Sequence, residues 1–298
     1  MSTIDGMYNG VNMTGLAAPM AMKTQMIEGG GGPNLHVREW GNASGPPILM
    51  IHGWSQSHMC WQQQYESDLG DDYRLVALDL RGHGMSQAPL EPEAYSDSKL
   101  WADDIAAIIE ELKLDHPVLS GWSYGGLVIG DYLRVHGENK IAGINYAGAA
   151  NLLNETAFAG LIGPGFLENF GGATSTDMPT NIAAMNRFLH CCFEIPLTQA
   201  DFETALAYNM LVHPLVRLNL GSRDLDNTDV LEQLSVQVLV TQGRQDVVVL
   251  PASAQYILDH CSTAQASWYD GVGHAPFLEN PARFNRELAE FTDRCRRA

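Results

Sequence analysis

The sequence GWSYGG, residues 121–126, is the stretch that decides the fold. It directly follows the apolar run at residues 118–119 and directly precedes a helical pattern over residues 125–135. A serine between glycines at a strand–turn–helix junction is typical of a nucleophile elbow. The glycines remove side chains that would collide across a sharp turn, and the helix N-terminus favours developing negative charge. The pattern therefore predicts Ser123 as an exposed nucleophile; the alternative is a glycine-rich turn with an incidental serine.

Short apolar runs on both sides of the elbow predict an α/β core. Continuous Val, Ile and Leu runs are typical of parallel strands with helices on both faces, and here they alternate with helical patterns. Residues 23–40 read as a hairpin, which predicts an antiparallel start to the sheet. The predicted strands cover residues 48–51, 75–80, 118–119, 141–146 and 236–241, and the clearest predicted helices cover 97–114, 125–135 and 281–294.

The chain has 298 residues, which suits one α/β core with an inserted subdomain. Strand-like runs vanish between residues 150 and 223, where glycines and prolines interrupt short helical pieces. We predict a helical cap, or lid, over 150–223, inserted into a core made of 23–149 and 224–298. Residues 1–22 have no basic residue and are rich in Met and Gly, so they predict a flexible N-terminal extension rather than a secretory signal.

A serine is a weak nucleophile unless a base activates it. His274 lies in a glycine-rich loop after the strand-like run at residues 266–269, where an imidazole can reach another loop. Asp246 follows the strand at 236–241, and the carboxyl ends of parallel strands meet at one edge of a sheet. We predict that Asp246 orients the His274 imidazole. Asp270 and Glu155 are the alternative carboxylates, since both also lie near strand ends.

An oxyanion hole needs two backbone N–H donors. One is predicted to be the amide of Tyr124, the residue after the nucleophile. The other is predicted to be the amide of Trp54, in the loop that follows the strand at residues 48–51, where Gly53 permits tight geometry. His52 in the same loop is interpreted as a residue that holds the loop by hydrogen bonds, not as the base.

Composition limits the partners. The formal net charge is −18, from 17 basic and 35 acidic residues, so nucleic acid and anionic membrane surfaces are poor partners. The five cysteines are an odd number with no zinc-site or disulfide spacing, which favours core packing and a reducing cytoplasm. No apolar run approaches the length of a membrane span. We therefore expect a cytoplasmic protein without nucleic-acid or membrane partners.

These features together resemble the α/β-hydrolase superfamily over nearly the whole chain. The segments at 52–54, 79–84, 121–126, 246 and 273–274 occur in the family's order. The resemblance is strongest to small bacterial carboxylesterases, cofactor-free haloperoxidases or perhydrolases, and C–C bond hydrolases, and it implies an eight-stranded, mostly parallel sheet flanked by helices with a helical cap. Haloalkane dehalogenases and epoxide hydrolases carry an aspartate where this chain has Ser123. Perhydrolase-like members usually carry a proline where this chain has Ser55.

The expected activity is hydrolysis of small, uncharged carboxylic esters through an acyl-enzyme, without metal or organic cofactor. C–C bond hydrolysis and perhydrolase or haloperoxidase chemistry are alternatives on the same triad, and a non-catalytic protein that binds a small ligand is an alternative of another class. Monomer and dimer are both open. The apolar cap favours a hydrophobic substrate, although ordinary cap packing explains the same residues. The predicted pocket residues are Gly53, Trp122, Leu161, Phe166 and Phe188.

Overall fold

An eight-stranded sheet runs through the part of the chain that the computed structural model describes, residues 23–297. The predicted N-terminal extension, residues 1–22, lies outside the described residues. Within them the strands are β1 Lys23–Glu28, β2 Asn34–Gly41, β3 Pro47–Ile51, β4 Arg74–Leu78, β5 Val118–Trp122, β6 Gly143–Ala147, β7 Leu152–Leu153, β8 Leu225–Asp226, β9 Gln237–Gly243 and β10 Ala264–Tyr269.

The strand order in the sheet is β1-β2-β4-β3-β5-β6-β9-β10. The pairs β1–β2 and β2–β4 are antiparallel, and every other neighbouring pair is parallel. The predicted antiparallel start and the mostly parallel eight-stranded sheet are therefore confirmed. The carboxyl ends of β3, β5, β6, β9 and β10 lie at one edge, so the loops that follow these strands can meet.

Helices occupy most of the connections between the strands. Within residues 23–297 they are α1 Gln62–Tyr65, α2 Leu69–Asp72, α3 Glu93–Ser96, α4 Ser98–Glu111, α5 Gly125–His136, α6 Glu155–Gly160, α7 Pro164–Ala173, α8 Met178–Cys191, α9 Gln199–Met210, α10 Pro214–Gly221, α11 Thr228–Gln233, α12 Pro251–His260, α13 Pro276–Glu279 and α14 Pro281–Cys295, with a 3₁₀ turn at His58–Trp61. The predicted helices at 97–114, 125–135 and 281–294 correspond to α4, α5 and α14.

Each face of the sheet packs on its own apolar cluster. Strand β3 is buried throughout, with Leu49 and Ile51 in one cluster and Ile48 and Met50 in the other. Helices α4 and α5 contribute to the first cluster, and the apolar face of α14 contributes to the second. Burial on both faces explains why the strand reads as a continuous apolar run and not as an alternating one.

Six helices, α6 to α11, lie between β6 and β9 in the chain, and the first five of them fall within the predicted cap. The sequence predicts no strand there, but β7 lies in this stretch and pairs antiparallel with β8, near the other end of it. The division into a core and a cap over 150–223 stays a prediction. No helix among residues 23–297 has both the length and the apolar character that crossing a membrane requires.

Candidate active site

The turn after β5 holds Ser123 in the left-handed region, with a φ of 54°. This conformation costs a non-glycine residue on the order of 1–3 kcal/mol, so the surrounding structure must impose it. A Cβ at Gly121 would lie 2.6 Å from the side chain of Ile129, and a Cβ at Gly125 would collide with the carbonyl oxygen of Ile51. The two glycines therefore let β5, the turn and α5 pack closely, as the sequence predicts, and the Ser123 side chain is partly exposed.

Asp246 and His274 form a buried hydrogen-bonded pair. The Nδ1 atom of His274 lies 2.8 Å from Oδ2 of Asp246, and the two residues are 1% and 2% exposed, respectively. The other carboxylate oxygen, Oδ1, accepts hydrogen bonds from the amides of Val248 (2.8 Å) and Val249 (3.0 Å). An ionised carboxylate only accepts, so the proton of the neutral imidazole resides on Nδ1. Nε2 is left as the basic nitrogen.

Ser123 and the His274 imidazole are linked through Trp122. Its indole Nε1 donates to the carbonyl oxygen of His274 at 2.9 Å, and the two rings lie 5.4 Å apart. Ser123 is the next residue along the chain. Its Oγ makes no hydrogen bond to any residue in 23–297. Hydrogen bonds between nucleophile and base are often loose in free enzymes and tighten when substrate binds.

The two alternative carboxylates lie elsewhere. The Asp270 side chain is 87% exposed and forms an ion pair with Arg244 at 2.9 Å. Glu155 is exposed in the first turn of α6. Neither has a hydrogen bond to His274, whose Nδ1 is already occupied by Asp246. Of the three candidate carboxylates, the structure pairs only Asp246 with the imidazole.

The loop after β3 passes directly against Ser123. A Cβ at Gly53 would lie 2.9 Å from the Cβ of Ser123, so this position has room for glycine only. Trp54 and Tyr124 are buried, yet among the described residues neither backbone amide donates a hydrogen bond. Buried amides without a partner are rare in proteins. These two are the donors that the sequence predicts for an oxyanion.

Two neutral histidines hold this loop. His52 Nε2 accepts from the Leu80 amide at 3.0 Å, and His83 Nε2 accepts from the Ser55 amide at 3.1 Å. Each donates its Nδ1 proton to a carbonyl oxygen, of Gly53 and of Arg81, respectively. Burial lowers the pKa of His52 to about 4 and that of His83 to about 3. The interpretation of His52 as a structural residue agrees with these contacts.

The predicted pocket residues divide into two groups. Phe166 and Phe188 meet the Trp54 indole edge-on, with ring centroids 5.2 and 5.3 Å away. Leu161 packs on the same apolar cluster that contains Trp54. Trp122 belongs to the other cluster, and its ring lies 5.4 Å from the His274 ring. Of the five predicted pocket residues, Phe166 and Phe188 are therefore the two whose rings the structure brings against Trp54, in the loop after β3.

Glu279 is a residue of this site that the sequence analysis missed. Its carboxylate accepts hydrogen bonds from the amides of Gly273 and Ala275, which flank His274, and from the amides of Glu194 and Ile195 after α8. It joins the loop that carries His274 to the segment that follows α8. Burial raises the pKa of Glu279, although the amide hydrogen bonds oppose this shift. No local pattern marks the role, because the four amides come from two distant parts of the chain.

The best candidate for a metal site among the described residues is His36, His58 and Asp79. The Asp79 carboxylate already accepts four hydrogen bonds: from Nδ1 of each histidine and from the amides of His58 and Met85. Burial opposes its ionisation, but the hydrogen bonds from the two histidines hold the pKa of Asp79 well below its usual range. Nη1 of Arg38, a cation, lies 3.2 Å from His58 Nε2. The trio therefore fits a buried polar network better than a metal ion.

Ser123 in its turn and the Asp246–His274 pair all follow strands at the carboxyl edge of a mostly parallel sheet. This arrangement is typical of hydrolytic enzymes with an α/β fold. The chain belongs to the Alpha/beta hydrolase family, whose profile matches residues 48–287. It is an α/β hydrolase of the carboxylesterase type, similar to small bacterial esterases.

Three relatives illustrate this similarity. The crystal structure of esterase RhEst1 from Rhodococcus sp. ECU1013 is 35% identical, with a TM-score of 0.86 and coverage of 91% of this chain and 98% of that one. The non-heme chloroperoxidase of Streptomyces lividans is 27% identical over 87% of this chain and 96% of its own length. The pimeloyl-[acyl-carrier protein] methyl ester esterase of Vibrio campbellii is 28% identical over 87% of this chain and 98% of its own length.

Proposed function

We propose that the protein hydrolyses carboxylic esters through an acyl-enzyme on Ser123, with His274 as base and Asp246 as the residue that orients the base. The observation that carries this proposal is the buried hydrogen bond between Asp246 and His274 Nδ1, which directs the proton-free Nε2 away from the carboxylate. The unpaired amides of Trp54 and Tyr124 support it, because they are free to receive an oxyanion. Esterases among the relatives support the reaction class.

The proposed reaction has two halves. His274 Nε2 takes the Ser123 Oγ proton as Oγ attacks the acyl carbon, and the carbonyl oxygen becomes an oxyanion that the Trp54 and Tyr124 amides bind. The intermediate collapses, the ester C–O bond breaks, and the imidazolium protonates the departing alcohol. Water then attacks the acyl-enzyme, giving its proton to His274. The carboxylic acid leaves as Ser123 recovers its proton.

A small, uncharged and hydrophobic ester is the proposed substrate. The edge-on packing of Phe166 and Phe188 on Trp54 places apolar surface next to the oxyanion loop. Burying a charged acyl group against such a surface would be unfavourable. We expect p-nitrophenyl butyrate to be hydrolysed faster than p-nitrophenyl hemisuccinate. A reversed order would contradict the substrate proposal but not the triad.

Ser123→Ala tests the nucleophile. We expect kcat on p-nitrophenyl acetate to fall by about 10⁶-fold, with a residual acceleration of about 10³–10⁴ over water. A fluorophosphonate probe should label the wild type and leave the variant unlabelled, which also separates an enzyme from a non-catalytic binding protein. Ser262→Ala, at an exposed serine, is the matched control and should behave as wild type. Activity of Ser123→Ala within tenfold of wild type would refute the proposal.

Perhydrolase or haloperoxidase chemistry is the second candidate, because one relative is a non-heme chloroperoxidase. The loop after β3 disfavours it. Ser55 has a φ of 63° and donates its amide hydrogen to His83, whereas a proline has a fixed negative φ and no amide hydrogen. This loop therefore does not have the form that the proline of perhydrolase-like members would require. Bromide oxidation with hydrogen peroxide and acetate tests the point, and we expect it to be far slower than ester hydrolysis.

The division of the chain and the location of the protein are also proposals. Helices α6 to α10 support a cap over residues 150–223, because they connect two core strands and their aromatic side chains reach Trp54. The five cysteines are free, which supports a reducing cytoplasm. Separate measurements address these points: limited proteolysis for the cap and fractionation for the location.

A further inference from the structure

The last helix before the chain returns to the core contacts both predicted oxyanion donors. The segment from Pro214 to Arg223, here called the clasp, comprises α10 and the two residues after it. The Trp54 indole donates to the carbonyl oxygen of Arg217 at 3.0 Å, and the Tyr124 hydroxyl donates to the carbonyl oxygen of Leu220 at 3.3 Å. One short segment of the cap therefore contacts both residues whose amides are unpaired.

A buried arginine of the clasp holds the loop after β3. Arg217 is 0% exposed, and its Nε donates to Ser55 Oγ at 2.8 Å. Its other nitrogens donate to the carbonyl oxygens of Ala173 (2.9 Å) and Asn209 (2.6 Å) and to Oδ1 of Asn181 (2.8 Å). The guanidinium thus joins three parts of the cap to Ser55, the residue that follows Trp54.

The charge of Arg217 has no carboxylate among these partners, and burial lowers the pKa of Arg217 to about 10. A buried cation without a counter-ion is unfavourable, so stability alone is a poor reason for this residue. A planar fork of five N–H donors is, however, well suited to fixing several oxygens in one geometry. Ser55 needs hydrogen bonds that hold it in place, because a backbone φ of 63° is disfavoured for any residue that has a Cβ.

A second buried arginine holds the other donor residue. Arg223 Nη1 donates to the Tyr124 hydroxyl at 3.2 Å, and Nη2 lies 2.9 Å from both carboxylate oxygens of Asp131 on α5. Tyr124 and Asp131 both belong to the elbow and the helix that follows it. Arg223 therefore fixes the Tyr124 ring against α5.

We propose that the clasp sets the relative position of the two oxyanion amides, with Arg217 and Arg223 as its positioning residues. This inference rests on the proposed function, because it assumes that the Trp54 and Tyr124 amides bind the oxyanion. Neither arginine contacts the reacting atoms. Loss of either should displace one donor while leaving the substrate pocket and the triad in place, so the transition state is affected more than the bound substrate.

The test compares Arg217→Met and Ser55→Ala with wild type and with Arg187→Met. Arg187 is the control, since it is an exposed arginine on α8 that donates to Asn169 Oδ1 and does not bond to the loop after β3. Ser55→Ala removes the acceptor of Arg217 Nε but keeps the backbone, so it serves if Arg217→Met folds poorly. The readouts are kcat and KM on p-nitrophenyl acetate and the Ki of phenylboronic acid, which forms a tetrahedral anion on the nucleophile.

Removing one oxyanion donor typically lowers kcat by about 10²–10³-fold, so displacing one should approach that value. We expect Arg217→Met to lower kcat by about 10²-fold and Ser55→Ala by about tenfold, with KM within threefold and the boronate Ki raised in parallel with the loss in kcat. Arg217→Lys should recover part of the loss. Arg187→Met should match wild type in all three readouts.

The inference is overturned if folded Arg217→Met and Ser55→Ala keep wild-type kcat and boronate Ki, even if their melting temperatures fall. It is also overturned if the loss appears in KM alone. These outcomes differ from a failure of the proposed function, which would show as wild-type activity in Ser123→Ala. An inactive Ser123→Ala together with unaffected clasp variants would refute only the positioning role.

Discussion

Replacement of Asp246 by asparagine should reverse the tautomer of the His274 imidazole. The side chain keeps its shape, so the packing around it should not change. Oδ1 of Asp246 accepts from the amides of Val248 and Val249. Both amides are donors, so the carbonyl oxygen of an asparagine must occupy this place. The new NH2 group is then forced into the position of Oδ2, 2.8 Å from His274 Nδ1, where Gln242 Nε2, 3.1 Å away, loses its acceptor.

An NH2 group at that position donates its hydrogen to Nδ1, so the imidazole must carry its own proton on Nε2. An Nε2 atom with a proton cannot take another from Ser123. The same reversal in a Ser-His-Asp protease lowers kcat by about 10⁴-fold, which is about 5.5 kcal/mol of transition-state stabilisation. We therefore expect a loss of about 10⁴-fold in kcat for Asp246→Asn, with KM changed by less than threefold.

The assay is steady-state hydrolysis of p-nitrophenyl acetate by Asp246→Asn and Asp270→Asn in parallel. Asp270 is the matched control, since it is an exposed carboxylate near the end of the neighbouring strand, paired with Arg244. Asp270→Asn should stay within threefold of wild type. A tenfold or smaller loss in Asp246→Asn, or an equal loss in both variants, would refute the assignment of Asp246.

Three further predictions concern the surroundings of the site. Glu279→Gln replaces one of two accepting oxygens by an NH2 donor that faces backbone amides. The free energy of unfolding in urea should fall by about 1–3 kcal/mol, and kcat should fall as well. An unchanged unfolding midpoint would contradict the bridging role of Glu279. Burial lowers the pKa of His52 to about 4 and of His83 to about 3, so below pH 6.5 the unfolded state binds protons that the folded state does not. The two neutral histidines should therefore contribute their full stabilisation above pH 6.5 and lose it as the pH drops toward 4, with a loss of about 3 kcal/mol for His52. Urea unfolding between pH 7.5 and 4.5 measures this loss. A free energy of unfolding that does not change with pH would argue against neutral buried imidazoles. Gly125→Ala places a Cβ against the carbonyl oxygen of Ile51. It should destabilise the protein by about 1–3 kcal/mol and reduce labelling by the fluorophosphonate probe. Normal labelling and stability would show that the turn after β5 tolerates a side chain at this position.

Much of the core could be predicted from local patterns. A strand buried on both faces must be apolar at every position, and β3, β5 and β9 are read from the sequence for that reason. The elbow is equally local, because its two glycines and its serine lie within five residues and the steric requirement acts between near neighbours. The short β7–β8 pair was missed, because two residues are too few to show a period and their pairing joins distant positions.

The sequence by itself determined the local structure of β5, its turn and α5. It also determined the order in which a serine, a carboxylate and a histidine follow the ends of strands. Sterics and hydrophobic periodicity act over a few residues, so one chain read alone is enough for them. The sequence favoured Asp246 over Asp270, but only the tertiary structure shows that Asp246 contacts His274. It also shows that Glu279, Arg217 and Arg223 contact the loops around His274 and Ser123. Some of their partners, such as Glu194 for Glu279 and Ser55 for Arg217, lie 85 and 162 residues away, and a hydrogen bond to a distant group leaves no pattern in the sequence around it.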